Sequence, residues 1–271
     1  MFFAGQQAAG ETFPVHLQKR NAETGEVQTE VRQWSPKETA IVVCDMWNQH
    51  WCKGATARVG EMAPRMNEVL TAARDKGITI FHAPSECMKF YENHPAHKRA
   101  LGIPADETVK NTLGGEKWNG GLPSEKDKKY PLDQSDGGCD CEPKCKGGQP
   151  WRSEIAALMV DENKDFVTDS GVTIGSYLKQ HGIKNVIVMG VHTNMCVIGR
   201  PFGLRQQICL GNNTVLMRDM TDTMYNHQRS PFVSHFKGTD LIIEYIEQYI
   251  CPSMVSADFT GKERFYFNGA K

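Results

Sequence analysis

Short apolar runs alternate with amphipathic stretches along most of this chain. Residues 39–44 (Thr-Ala-Ile-Val-Val-Cys), 78–81 and 186–189 (Val-Ile-Val-Met) are nearly unbroken apolar runs. Strands buried on both faces read this way. Between the first two, Met62, Met66, Val69, Leu70 and Ala73 recur at helical spacing, and Gly77 follows as a helix stop. That order is β-α-β, which requires a right-handed crossover and a parallel pair. The alternation resumes after residue 154. It predicts a short strand at 157–160, a helix at 172–181 closed by Gly182, strands at 185–189 and 214–217, and a last helix at 239–249 stopped by Pro252.

Two stretches break the rhythm. Residues 12–34 alternate apolar and polar positions around Asn21-Ala22-Glu23-Thr24-Gly25, which predicts a β-hairpin. Residues 86–154 are rich in Lys, Glu, Asp, Gly and Pro and poor in aliphatic side chains, and predict a loop-rich insertion draped over one edge. The expected architecture is a doubly wound, mostly parallel, Rossmann-like α/β sheet with helices on both faces. The hairpin, 1–36, is an N-terminal extension to a domain of 37–271 that carries the insertion.

Composition narrows the function classes. Among 271 residues, 31 are Lys or Arg and 32 are Asp or Glu, for a net charge of -1. No overall field favours nucleic acid or an anionic membrane. No apolar run approaches a membrane span. The opening residues, Met-Phe-Phe-Ala-Gly-Gln-Gln, are too short and polar a stretch for a secretory signal. Nine cysteines, an odd number and mostly scattered, do not form an evident disulfide framework, so a reduced, cytoplasmic setting is expected.

The candidate chemistry lies at strand ends. Asp45 follows the strand at 39–44. Cys196 follows the strand at 185–189, where the pattern predicts a helix over 194–210 ended by Gly211. Unpaired N–H groups and the positive end of a helix dipole at that point predict a lowered thiol pKa and a place to hold an oxyanion. In a doubly wound sheet both residues fall at the carboxyl edge, where ligands bind.

Residues 40–48 (Ala-Ile-Val-Val-Cys-Asp-Met-Trp-Asn) and 190–197 (Gly-Val-His-Thr-Asn-Met-Cys-Val) resemble the first strand with its aspartate and the nucleophile motif of the isochorismatase-like cysteine hydrolases. That resemblance covers roughly 37–85 and 155–250. It implies an Asp-Lys-Cys triad that cleaves a C–N bond, amide or ureido, of a small molecule through a thioester. Asp45 would be the base and Cys196 the nucleophile. Lys164 is the positional match for the lysine, with Lys117 and Arg152 as substitutes. The resemblance also implies a cis peptide before His192, N–H groups around His192 and Thr193 facing substrate, and a homo-oligomer.

Further candidates come from the residues themselves. Trp47, Trp51 and Phe202 could wall a pocket. Arg200 could bind a substrate carboxylate or pair with Asp219 or Asp222. His82 is a lone strand histidine, which is more often a hydrogen-bonded structural residue than a ligand. Cys139, Cys141 and Cys145 cluster in a Gly-rich segment and could ligate zinc, with Cys52, Cys87 or a histidine as fourth ligand. A disulfide among them is the competing account. Three functions stay open: the hydrolase, a decayed relative that binds a small ligand or a partner protein, and a metal-dependent variant.

Overall fold

The computed structural model describes residues 11–270. The opening residues 1–7, read above for a signal, lie outside them. A hairpin of β1 (Phe13–Arg20) and β2 (Val27–Trp34) leads into β3 (Thr39–Cys44), α1 (Lys53–Lys76) and β4 (Thr79–Ala83). The segment that follows holds two short helices, α2 (Pro95–Leu101) and α3 (Glu107–Leu113). Then come β5 (Phe166–Val167), α4 (Gly171–Gln180), β6 (Asn185–Val191), α5 (Leu204–Cys209), β7 (Asn213–Asp222), α6 (His235–Tyr249), β8 (Ser253–Met254) and α7 (Ala257–Thr260).

All of the strands join one sheet of order β2-β1-β8-β7-β6-β3-β4-β5. From β8 to β5 every pairing is parallel, and only β1 runs against the rest. This is the α/β architecture that the alternation predicts. The hairpin is continuous with the sheet, because Gln18 pairs with Ser253. Along β3 the period of two is visible in the packing. Ala40, Val42 and Cys44 face the side covered by α4, α5 and α6, while Ile41 and Val43 face α1. Each face of the sheet therefore has its own apolar layer, and β3 and β6 are buried throughout.

Three expectations about elements need correction. Residues 157–160 are irregular, and the outer strand is β5 at Phe166–Val167. Its two residues are too few to leave a periodic signal. The segment after β6 is not one helix over 194–210. A five-residue π turn, Thr193–Val197, is followed by a break, and α5 starts only at Leu204. Pro201 has no N–H to continue a helix, and Gly203 is fully extended there. The insertion is not all loop, since Asp106 and His94 cap short helices within it.

Gly190 shows why β6 ends as it does. Its φ is +112°, and a Cβ there would sit 2.0 Å from the Cys44 carbonyl oxygen. Only glycine lets β6 pass β3 this closely. The ladder to β7 shifts register between Val188 and Gly190. This turns the chain toward Cys196 just beyond the end of Asp45's strand.

Candidate active site

Asp45 closes β3 with a left-handed φ of 47°. A short polar side chain tolerates this region better than most. Its carboxylate is fully buried and both oxygens are engaged. Oδ1 accepts the Ser85 N–H at 2.7 Å, and Oδ2 accepts Arg200 Nε at 3.1 Å. Burial raises the Asp45 pKa; Arg200, Cys196 and Ser85 oppose this without cancelling it. The group is a buried carboxylate whose proton affinity exceeds that of an ordinary aspartate, which suits a general base.

Cys196 is 6% exposed and lies beside Asp45, Arg200 and the His192 backbone, whose charges and dipoles act on it. Burial pushes its thiol well above the usual value, and the Asp45 charge pushes the same way against Arg200. The lowered pKa expected from the chain pattern is thus corrected. The π turn supplies no long run of aligned peptide dipoles, and a neighbouring carboxylate in a dry site outweighs the N–H groups. The resting state is a thiol beside a carboxylate that is paired with a guanidinium.

That guanidinium was not the expected cation. Lys164 sits on the exposed Asp161–Asp165 turn, with its backbone N–H bound to Asp161. Arg152 binds the carbonyls of Gln149 and Trp151. The cation at Asp45 is Arg200, one helical turn beyond Cys196, with its N–H bonded to the Cys196 carbonyl. The i, i+4 spacing of Cys196 and Arg200 was the available signal. Arg200 pairs with neither Asp219 nor Asp222. Asp219 accepts from Ser256, while Asp222 is held by Arg58 and His235.

The remaining site candidates divide. Trp47 is buried, donates its indole N–H to the Ser85 carbonyl, and stacks on Trp151 at 4.5 Å. His50 continues the stack on Trp151 at 5.6 Å and meets the His192 ring edge-on at 4.8 Å. Burial pushes His50 down to about 4 and His192 well below its usual value, so both rings are neutral. His192 Nε2 is buried without a hydrogen-bond partner. The Val191–His192 peptide is cis, as the resemblance implies. The Thr193 hydroxyl is committed elsewhere, 2.6 Å from that of Thr221, which donates to the Gly190 carbonyl. Phe202 is a core side chain, fully buried.

Several contributors come from the insertion and carry no signal in the chain pattern. Glu86 approaches Arg200 at 3.9 Å, and Trp118 lies under its guanidinium at 4.8 Å. The Tyr130 hydroxyl donates to the Asn194 carbonyl. The insertion therefore reaches the carboxyl edge of the sheet, over the catalytic turn. His82, behind this layer, is held between Glu154 (2.7 Å) and Asp165 (3.2 Å), and Asp165 is in turn clasped by Arg74.

The thiols gather at the start of α1. Cys52, Cys139 and Cys141 bring their sulfurs within 4.8 Å of one another, an arrangement compatible with a metal site. Cys87 packs in a different cluster.

No protein-family model matches this chain, and no curated protein matches it in sequence. Solved structures are similar in fold. A cysteine hydrolase from Pseudomonas syringae pv. phaseolicola 1448A shares 14% identity over 84% of this chain and 94% of its own, with a TM-score of 0.49. An isochorismatase family protein from Burkholderia thailandensis shares 13% over 83% and 95%, with a TM-score of 0.45. An isochorismatase from Pseudomonas putida KT2440 shares 12% over 83% and 92%, with a TM-score of 0.49. These are the kinds of protein that residues 40–48 and 190–197 resemble. At such identity the likeness concerns the path of the chain and not its chemistry.

Proposed function

We propose that this protein is a cysteine hydrolase that cleaves the C–N bond of a small amide or ureido compound. The observation that carries this is the buried Asp45–Cys196–Arg200 cluster at the carboxyl ends of β3 and β6. A thiol alone could be inert packing. A thiol, a carboxylate of raised proton affinity and a cation in mutual reach form a nucleophile with its base and an orienting group.

Cys196 Sγ attacks the substrate carbonyl carbon while its proton passes to Asp45. The proton then goes to the leaving nitrogen as the C–N bond breaks, leaving a thioester. Water, deprotonated by Asp45, cleaves the thioester to the acid and restores the thiol. N–H groups of the turn from His192 to Cys196 hold the oxyanion. Arg200 takes the place that the resemblance gives to lysine. It keeps Asp45 ionised against its burial and, being always charged, takes no part in proton transfer. Trp47, Trp151 and His50 form an aromatic wall beside the site, suited to a flat, small substrate. The balanced acidic and basic residues, with a net charge of -1, favour neither nucleic acid nor membrane as substrate, and no helix among the described residues is long and apolar enough to cross a membrane. A homo-oligomer, in which the insertion borders a neighbour's site, is part of the same proposal by analogy.

Ammonia release from a panel of small primary amides and N-carbamoyl amino acids tests this, with mass spectrometry of the Cys196 peptide after acid quench. Turnover by the wild type, an acyl adduct on Cys196 and loss of both in Cys196→Ala and Asp45→Asn are expected. Panel members that raise the melting temperature yet are never cleaved, with no adduct formed, would leave a binding protein instead.

A further inference from the structure

The insertion is anchored at one place by sulfur. We propose that Cys52, Cys139, Cys141 and Cys145 form a closed four-thiolate zinc site that pins the insertion to the start of α1, apart from the reacting thiol.

Spacing comes first. The sulfurs of Cys52 and Cys141 stand 3.8 Å apart. Four ligands at about 2.3 Å around a tetrahedral zinc stand about 3.8 Å from one another. A disulfide would bring a pair to about 2.05 Å. Cys139 joins Cys52 and Cys141 within 4.8 Å, and Cys145, packed against the same cluster, is the neighbouring thiol that would close the set.

The backbone is arranged for thiolates. Gly54 N–H points to Cys141 Sγ at 3.2 Å and Lys53 N–H to Cys145 Sγ at 3.5 Å. Cys52 Sγ lies 3.7 Å from Asp140 Oδ1. Two sulfurs of the group, Cys141 and Cys145, thus accept a backbone donor. Neutral thiols are poor acceptors and need no such provision. Converging sulfurs, two of them with N–H donors, form the shell of a metal carrying thiolate charge. A soft, all-sulfur, tetrahedral set with no open position selects zinc and gives it a structural role.

What the site holds together is specific. Gly138, beside Cys139, has a φ of +74°, and a Cβ there would lie 2.3 Å from the Met224 carbonyl oxygen. Met224 exchanges two hydrogen bonds with the Asn194 side chain, in the turn that carries Cys196. Asp140, between two ligands, pairs with Arg58 of α1 at 2.8 Å, and Arg58 pairs with Asp222 at the end of β7. A metal here would fix the segment around 138–145 against the ends of β6 and β7. A segment with so little aliphatic core gains from such a staple.

The test uses the full chain purified under reducing conditions without added metal. Plasma mass spectrometry should find one zinc per chain after dialysis. Cys52→Ser and Cys141→Ser should lose it, while Cys196→Ala, Cys209→Ser and Cys251→Ser retain it. Because a ligand variant could fail to fold, the wild type is also exchanged with cobalt. Strong sulfur-to-cobalt charge-transfer bands and intense tetrahedral d–d bands are expected. A folded, metal-free wild type that gives no such spectrum would overturn the proposal. So would a denatured mass lighter by the hydrogens of a disulfide, or one iron per chain in place of zinc.

Discussion

The parallel centre of the sheet and the insertion over 86–154 are held together by different forces. Around β3 and β6 the backbone is paired in continuous ladders and side chains are apolar on both faces. The insertion has little apolar interior of its own. It is tied down by Arg205 on Glu125, Arg58 on Asp140, Lys179 on Asp106, Glu116 at the start of α4, and the thiol cluster. The reacting groups stand on the first region. Their cover comes from the second, through Glu86, Trp118, Tyr130 and Trp151. Rigid placement of a nucleophile needs the dense packing of a core, whereas an enclosure needs only directed contacts that can be arranged on irregular chain. Burying ion pairs costs desolvation, so the insertion is the less robust half of the arrangement.

The largest effect expected separates chemistry from stability. Cys196→Ala should lower turnover by roughly 10⁴-fold or more, as loss of a nucleophile does, with a nearly unchanged melting temperature. A large fall in stability with the activity loss would place Cys196 among the core residues instead. Next come paired substitutions in the two regions. Ile187→Ala, in the middle of β6 and fully buried, should cost about 2–5 kcal/mol of global unfolding free energy in denaturant titration. Glu125→Gln leaves Arg205 half-satisfied and should cost about 1–3 kcal/mol. Its hydrogen exchange should quicken first in the insertion around 116–130, with β3 and β6 still protected. Uniform acceleration in both regions would erase the distinction drawn between them.

The third prediction concerns pH. Burial alone would lower the pKa of His82, but Glu154 and Asp165 raise it to about 9. The folded value lies above the unfolded one of about 6.5. Stability from this group is then fully present below pH 6.5 and is lost as pH rises through about 9. A shift of that size is worth on the order of 3 kcal/mol. Melting temperature should fall across that window in the wild type and stay flatter in His82→Gln. Equal slopes would show that other groups govern the alkaline loss. The smallest effect is expected at Trp118, half-exposed beside Arg200. Trp118→Ala should lower kcat a few-fold with KM little changed, consistent with loss of a cation–π contact on Arg200 of about 0.5–1 kcal/mol at an exposed position. A change in KM alone would mean that Trp118 meets the substrate rather than positioning Arg200.

Asp45 and Cys196 were legible because strand periodicity places each at the end of a buried run, and the ends of parallel strands converge. Arg200 was visible as a candidate, but its partner was not. Which acid a guanidinium meets depends on where the broken turn after Cys196 sends it, and Pro201 and Gly203 decide that. Lys164 was chosen by position, and the fold leaves it in solvent. Cys139, Cys141 and Cys145 were grouped by spacing, while Cys52, far away in the chain, was one option among several until α1 brought it to them.

The β-α alternation at the centre of the sheet, its two apolar faces and the strand ends that carry Asp45 and Cys196 were therefore determined by the sequence alone. These features depend on local periodicity, which repeats along the chain. The identity of the cation at Asp45, the direction of the Cys196 pKa, the fourth sulfur and the residues that cover the site were decided only by the tertiary structure. Charges, dipoles and burial act through space over a few ångströms, and separation along the chain does not measure that distance.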